Sequence, residues 1–163
     1  MGRKPELSLR ARALQYLARR EYSRAELRGK LLPYVQVEND FEQVQALDLD
    51  ALLDDLIERG WLSDARATAQ YIHSKRGRFG TQRITHELKQ RGISDELIDA
   101  ELDALKVGEL KAACDVWRKK FGHLPQNVKE KARQLRFMQS RGFSLDVVFK
   151  VLHSTDERYD TDI

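Results

Sequence analysis

The sequence predicts an all-α protein made of three tandem three-helix repeats, helix-turn-helix-like modules forming an elongated, curved array. Three observations carry that prediction. Apolar residues recur at i, i+3/i+4 spacing almost throughout, the pattern of helices that bury one side. Serines and threonines stand where helices should begin, and Arg-Gly pairs where they should end. Charge alternates in blocks, with net +6 over residues 1–34, −8 over 35–64, +6 over 65–93, −5 over 94–110, +7 over 111–150 and −3 over 151–163. Three basic blocks alternating with three acidic ones, inside a whole-chain charge of only +3, signal an internal repeat.

The first group holds helices over 8–20, 24–32 and 42–59. Leu7, Ala11, Leu14, Leu17 and Ala18 trace the first apolar face, and Leu27, Leu31 and Tyr34 the second. Ser23-Arg24-Ala25-Glu26 is a capping box, in which two side chains satisfy orphan amides at a helix start. Val37-Glu38-Asn39-Asp40 reads as a linker. Beyond it, Leu49, Leu52, Leu53, Leu56 and Ile57 form the strongest stripe in the chain.

The second group spans 64–76, 81–91 and 95–104, with Ser63, Thr81 and Ser94 as N-caps. Its faces are Ala65–Ala69–Ile72, Ile84–Leu88 and Leu97–Ile98–Leu102–Leu105. The third group spans 106–121, 127–140 and 145–152. Its faces are Leu110–Ala113–Trp117–Phe121, Val128–Ala132–Leu135 and Leu145–Val148–Phe149–Leu152, the last behind an N-cap at Ser144. Gly60, Gly77, Gly92 and Gly142 each follow an arginine, which places a cation at the dipole's negative end and then a residue tolerant of positive φ. Nine helices result, each short enough to be marginal alone, so they must pack on one another.

A gapless shift of 50 residues lays the second group on the third: Arg83 meets Arg133, Leu88 meets Met138, Arg91-Gly92 meets Arg141-Gly142, and Ser94 meets Ser144. The expected organisation is therefore a first module over 1–62, with an N-terminal tail and a linker near 35–42, a second over 63–104 and a third over 105–153. An acidic tail closes the chain over 154–163. Packing between modules of one chain makes a monomer sufficient.

Catalytic and metal chemistry find no foothold. The single Cys114 excludes a disulfide framework and a Cys-based zinc site within one chain. His73, His86, His123 and His153 have no HExxH or CxxC partner, and no phosphate-cradling glycine loop is present. Asp54, Asp55, Asp99 and Asp103 lie on helix faces without the isolation that raises a carboxyl pKa for acid–base work. No catalytic residue, no metal, no cofactor and no enzyme are expected. No apolar run approaches the roughly 20 residues that span a bilayer, and the N-terminus lacks the apolar region of a signal peptide. With an unpaired cysteine, this points to the cytoplasm and to no membrane partner.

What stands out is Lys75-Arg76-Gly77-Arg78-Phe79-Gly80-Thr81-Gln82-Arg83, cations around an aromatic between two glycines. One reading is a loop that contacts phosphates or an acidic surface, with Phe79 as a stacking or anchoring face. The other is a C-cap at Gly77, an N-cap at Thr81 and Phe79 tucked into the core between them. Lys89 and Arg91 extend the set in the second module, Arg24 and Arg28 repeat it in the first, and Lys129, Arg133 and Arg136 in the third. Recurrence favours one basic surface suited to a polymer such as nucleic acid or a filament. Alternatively, basic helices of one module pair with acidic helices of the next.

Gly60-Trp61-Leu62-Ser63-Asp64-Ala65-Arg66, followed by Gly80, Arg83-Ile84, Glu87-Leu88 and Arg91-Gly92-Ile93, resembles the central signature of RecX regulatory proteins. The resemblance extends through Ala13-Leu14, Leu17, Arg20, Ser23, Glu26-Leu27 and Lys30-Leu31 to Arg141-Gly142-Phe143. One departure stands at Ala67-Thr68, where the family places an aromatic and then Ala; Trp61 or Tyr71 is expected to fill that space. The resemblance implies tandem three-helix repeats that lodge along the RecA–single-stranded DNA filament. There they would damp its recombinase, ATPase and coprotease activities, and so modulate recombination and the SOS response, with no cofactor. Direct DNA binding through basic helix-turn-helix-like modules is the alternative, and weak contact with single- or double-stranded DNA is compatible with both.

Overall fold

A computed structural model describes residues 7–35 and 42–159. Among these are eight α-helices and no strand: α1 (Leu9–Leu17), α2 (Arg24–Leu31), α3 (Glu42–Glu58), α4 (Asp64–Lys75), α5 (Thr81–Gln90), α6 (Asp95–Lys120), α7 (Val128–Ser140) and α8 (Leu145–Tyr159), with a 3-10 turn at Leu32–Tyr34. The linker at Val37-Glu38-Asn39-Asp40, the first six residues and the last four lie outside the described residues. The chain forms two compact units, one of the residues up to Gln70 together with Arg91–Ile93, the other of Tyr71–Gln90 and everything from Ser94 onward.

Eight helices rather than nine result because the break expected between 104 and 106 is absent. One helix, α6, runs unbroken from its N-cap Ser94 to Lys120. No proline interrupts it, and its buried positions Ile98, Leu105, Ala112, Ala113 and Trp117 keep one helical phase throughout. Gly108 costs about 1 kcal/mol in a helix interior but does not stop one.

Local signals explain most other ends. At α2 both halves of the capping box form, Glu26 N to Ser23 Oγ at 3.1 Å and Ser23 N to Glu26 Oε2 at 3.0 Å. Ser63, Ser94 and Ser144 accept the expected cap bonds from Arg66, Leu97 and Val147. Thr81 does not cap; it is the first residue of α5, and its amide instead donates to Glu109 Oε1 at 3.1 Å. Gly60, Gly92 and Gly142 adopt positive φ as expected, but Gly77 does not, and Gly122 does. After α4 the chain makes a tight turn in which the amides of Arg78 and Phe79 both donate to the Lys75 carbonyl, so no left-handed cap is needed.

In the first unit, Ala13, Tyr22, Leu27, Leu31, Leu49, Leu53, Leu56 and Leu62 pack into one core. In the second, Ala112, Ala113, Trp117, Met138, Phe143, Val148, Val151 and Leu152 form another. Inside it, Trp117 Nε1 donates to Gln134 Oε1 at 2.9 Å and Gln134 Nε2 donates to the His123 carbonyl at 3.1 Å, which satisfies a buried amide side chain. The apolar face expected of α4 is rotated. Ala65 and Ala69 are exposed, whereas Ala67, Thr68, Tyr71 and Ile72 are buried. Thr68 is tolerated there because its hydroxyl donates to the Asp64 carbonyl at 2.7 Å. Of the two aromatics expected to compensate for Ala67, Tyr71 is buried and Trp61 is not. Val128, expected on the inner face of α7, is likewise exposed.

The same joint occurs in each unit. In the first, the Arg91-Gly92 helix stop lies on the start of α2: Ser23 Oγ donates to the Arg91 carbonyl at 2.5 Å, and a Cβ on Gly92 would meet that of Ala25 at 2.4 Å. In the second, Arg141-Gly142 lies on the start of α5. Here Gly80 N donates to the Arg141 carbonyl at 2.8 Å and Gln82 N to the Gly142 carbonyl at 3.3 Å. The register of 50 residues therefore corresponds to a repeated contact.

Candidate functional site

The second joint builds the site. A Cβ on Gly80 would lie 2.2 Å from the Gly142 carbonyl oxygen, so only glycine lets the 76–80 turn approach the end of α7 this closely. That approach sets half-buried Phe79 among four cations. The Arg83 guanidinium lies 4.2 Å from the ring centroid, Arg141 5.3 Å, Lys75 Nζ 5.5 Å and Arg78 5.9 Å. Arg141 stands equally 5.3 Å from the Phe137 ring, which also carries Lys120 Nζ at 5.3 Å. Phe137 meets Phe121 edge-to-face at 5.4 Å, and Arg133 sits 6.0 Å over Phe121. The result is a cluster of cations and aromatic rings that runs from Arg83 and Phe79 through Arg141 and Phe137 to Phe121 and Arg133. Such contacts contribute about 0.5–1 kcal/mol each when exposed.

Beside this cluster an open cleft of about 630 Å³ is lined by Gly77, Arg78, Asp115, Val116, Arg118 and Lys119. Asp115 is held below the ordinary carboxylate value by the Lys111 ammonium, which donates to it at 2.9 Å, with Arg118 at 3.9 Å adding attraction. Its negative charge thus persists within an otherwise basic wall.

The other sequence-selected cations divide by partner. Arg24 pairs with Asp50 and Asp54 at 3.4 and 3.0 Å, and Arg28 with Asp50 at 3.0 Å. The Arg28 hydrogen bond, reinforced by both arginine charges, holds the Asp50 carboxyl below its usual pKa. Asp55 is lowered likewise by hydrogen bonds from Arg59 and Arg10. Charge alternation in the first group thus serves pairing of α1 and α2 with α3. Arg91 donates to Glu26 Oε1 at 2.6 Å in the first unit, and Lys89 stands 3.5 Å from Asp95 in the second. Arg83 pairs with Glu87 at 3.0 Å and also donates to the Ser140 carbonyl at 3.3 Å. Lys75, Arg76, Arg78, Lys129, Arg133 and Arg136 have no ion pair among the described residues.

Of the capping reading of residues 75–83 neither cap forms and Phe79 is only half-buried, while Arg76 and Arg78 beside it are exposed. Arg141, Lys120, Phe137 and Phe121 are the cluster residues absent from the sequence-selected set. For Arg141 a signal existed, since the 50-residue register pairs it with Arg91, which the set includes.

Residues 63–102 match the description "RecX, second three-helix domain" and residues 108–152 "RecX, third three-helix domain". Over 160 residues the chain is 47% identical to the Regulatory protein RecX of Leptothrix cholodnii, covering 98% of this chain and 96% of the relative. The chain belongs to the RecX family. The Regulatory protein RecX of Ralstonia pickettii is 41% identical over 93% of this chain and 90% of its own. The crystal structure of RecX from Lactobacillus salivarius has the same fold, with a TM-score of 0.68 at 18% identity over 91% of this chain and 94% of that one. The all-α, tandem three-helix fold read from the sequence is thus that of RecX, and the chain is one of a family named as regulatory proteins. The segment between the two matched RecX domains, 103–107, lies inside unbroken α6. No described helix is long and apolar enough to cross a membrane.

Proposed function

We propose that this RecX-family chain acts by binding the RecA–single-stranded DNA filament, inhibiting RecA recombinase, ATPase and coprotease activities and so modulating recombination and the SOS response. Near-complete alignment with a curated RecX at 47% identity carries this reading. The cations around Phe79 support it, because a filament that holds a polyanion is met most readily by a basic surface. The chain acts as a cytoplasmic monomer and performs no catalysis of its own. Arg76, Arg78 and Arg83 supply the contact in the second unit, with Lys129, Arg133 and Arg136 extending it along α7. Substoichiometric protein is expected to slow the single-stranded-DNA-dependent ATPase of RecA; an unchanged rate at equimolar protein refutes the reading. A triple Arg76→Gln, Arg78→Gln, Arg83→Gln chain should keep its helicity and inhibit less, and full inhibition would exclude this turn.

The exposed α7 cations, without ion pairs among the described residues, favour a second reading of direct DNA binding. Its signature is affinity that falls steeply with salt in the absence of RecA.

A further inference from the structure

We infer that the exposed face of α6 is a self-association surface, on which a second copy of this chain docks its own α6 antiparallel, about a two-fold axis at Val107. This goes beyond the filament reading and leaves it intact: the monomer acts on the filament, and the pair is a form of the free chain.

In the first unit the acidic residues of α3 pair with cations of α1 and α2, but the acidic block over 94–110 is not absorbed in this way. Of its six carboxylates only Asp95 has an ion pair among the described residues, to Lys89. Apolar surface is left over on the same helix. Val107 is 86% exposed and Leu110 40%, and Ala100 and Ala104 are exposed. They lie on the side of α6 away from its buried positions Ile98, Leu105, Ala112 and Ala113. Steps of four, seven and eleven residues return to one side of an α-helix. Taken both ways from Val107, they reach Asp103 and Lys111, then Ala100 and half-buried Cys114, then Glu96 and Arg118. Each acidic residue of this row thus has a basic counterpart at the same distance on the other arm. A two-fold axis at Val107 brings Asp103 level with the second copy's Lys111, and Glu96 level with its Arg118. The Lys111 ammonium keeps donors free beyond its 2.9 Å bond to Asp115, and its side chain is 84% exposed. Ala100, Ala104 and Val107 at the centre let two helices approach to the ordinary 8–10 Å between axes. A parallel pair would instead set Asp103 beside Asp103 and Lys111 beside Lys111. An all-acidic or all-basic helix would match only one arm. Such a seam is smaller than the roughly 1,200–2,000 Å² of stable interfaces, so the pair is weak and exchanges with the monomer.

The test is sedimentation equilibrium of the whole chain alone at rising concentration, repeated with Asp103→Lys, with Lys111→Asp and with an equimolar mixture of the two. The unsubstituted chain should move from monomer toward dimer mass as concentration rises. Each single variant sets like charges level at both symmetric contacts and should dimerise about tenfold more weakly. Mixed, the two variants set opposite charges level again, and dimerisation should return. Far-UV circular dichroism verifies that both keep their helicity. An unsubstituted chain still monomeric at about 1 mM overturns the inference, whatever the variants do, and leaves the face to a different protein. Dimerisation undiminished in both single variants also overturns it, in favour of a parallel pair or another surface. So does loss in the single variants that the mixture does not restore. Recombinase is absent throughout, so failure here leaves ATPase inhibition standing, and failure of that inhibition leaves this measurement unaffected.

Discussion

Replacing Gly80 by alanine tests the joint on which the site is built. The added methyl would fall 2.2 Å from the Gly142 oxygen, 2.3 Å from its carbonyl carbon and 2.5 Å from the Phe143 nitrogen. All three are backbone atoms, so no side chain can swing aside, and the turn and the end of α7 must separate by about 1 Å or more to reach ordinary contact. That separation costs about 1–3 kcal/mol as overpacking. It also strains the Gly80–Arg141 and Gln82–Gly142 hydrogen bonds, each contributing about 0.5–1.5 kcal/mol. A destabilisation of about 3 kcal/mol follows, which for a domain of this size lowers Tm by roughly 10 °C. Gly77 provides the internal control. It sits three residues earlier, its φ is not positive, and a Cβ there meets nothing within 4 Å. Gly77→Ala should therefore leave stability unchanged or raise it by up to about 1 kcal/mol. Thermal unfolding followed by circular dichroism at 222 nm, the standard helix band, compares the two chains directly. Equal melting of Gly80→Ala and Gly77→Ala would refute the account of the joint.

Asp50→Asn should lower stability near neutrality by removing the carboxylate charge shared by Arg24 and Arg28. Because the folded pKa of Asp50 lies below the ordinary 3.8, its contribution is fully present above that value and lost as pH falls through the folded pKa. Urea midpoints of the two chains should accordingly differ near neutrality and converge in strong acid; a difference that persists in strong acid contradicts the pairing. Gln134→Leu leaves the Trp117 indole N–H and the His123 carbonyl without their partner in the core of the second unit. A loss of about 1–3 kcal/mol is expected in urea titration, and a neutral effect would mean the network is dispensable.

Local signals were legible wherever one short segment decides the outcome. The capping box at Ser23 and the stops at Gly60, Gly92 and Gly142 depend on few neighbours, and they stand as read. Gly77 carries the same Arg-Gly signature, yet a tight turn does the work of a left-handed cap, and no nearby residue distinguishes the two. The face of α4 was misplaced because alanine fits both sides of a helix, and because Thr68 becomes compatible with burial only through its bond to the Asp64 carbonyl. The continuity of α6 rests on helical phase holding across Lys106-Val107, which separate stripes do not reveal. In the site, the cations of 75–83 were visible because they are contiguous. Arg141 and Phe137 reach Phe79 only through tertiary docking at Gly80 and Gly142, so sequence proximity could not bring them in. Likewise, pairing of Arg24 and Arg28 with Asp50 and Asp54 depends on how α2 and α3 pack.

Unbroken α6 also determines where this chain can tolerate changes in length. At 26 residues it is about 39 Å long, and each residue added or removed turns everything beyond it by about 100° and moves it about 1.5 Å. A single insertion between Leu105 and Ala112 would carry Trp117 from its core to solvent while Ile98 stayed in place. The 122–127 segment, outside any helix and exposed at Gly122, His123, Gln126 and Asn127, absorbs such a change more readily than α6 does. Divergence in length should therefore gather at 122–127 and spare 98–117, so that α6 serves as a fixed gauge against which the second unit is assembled.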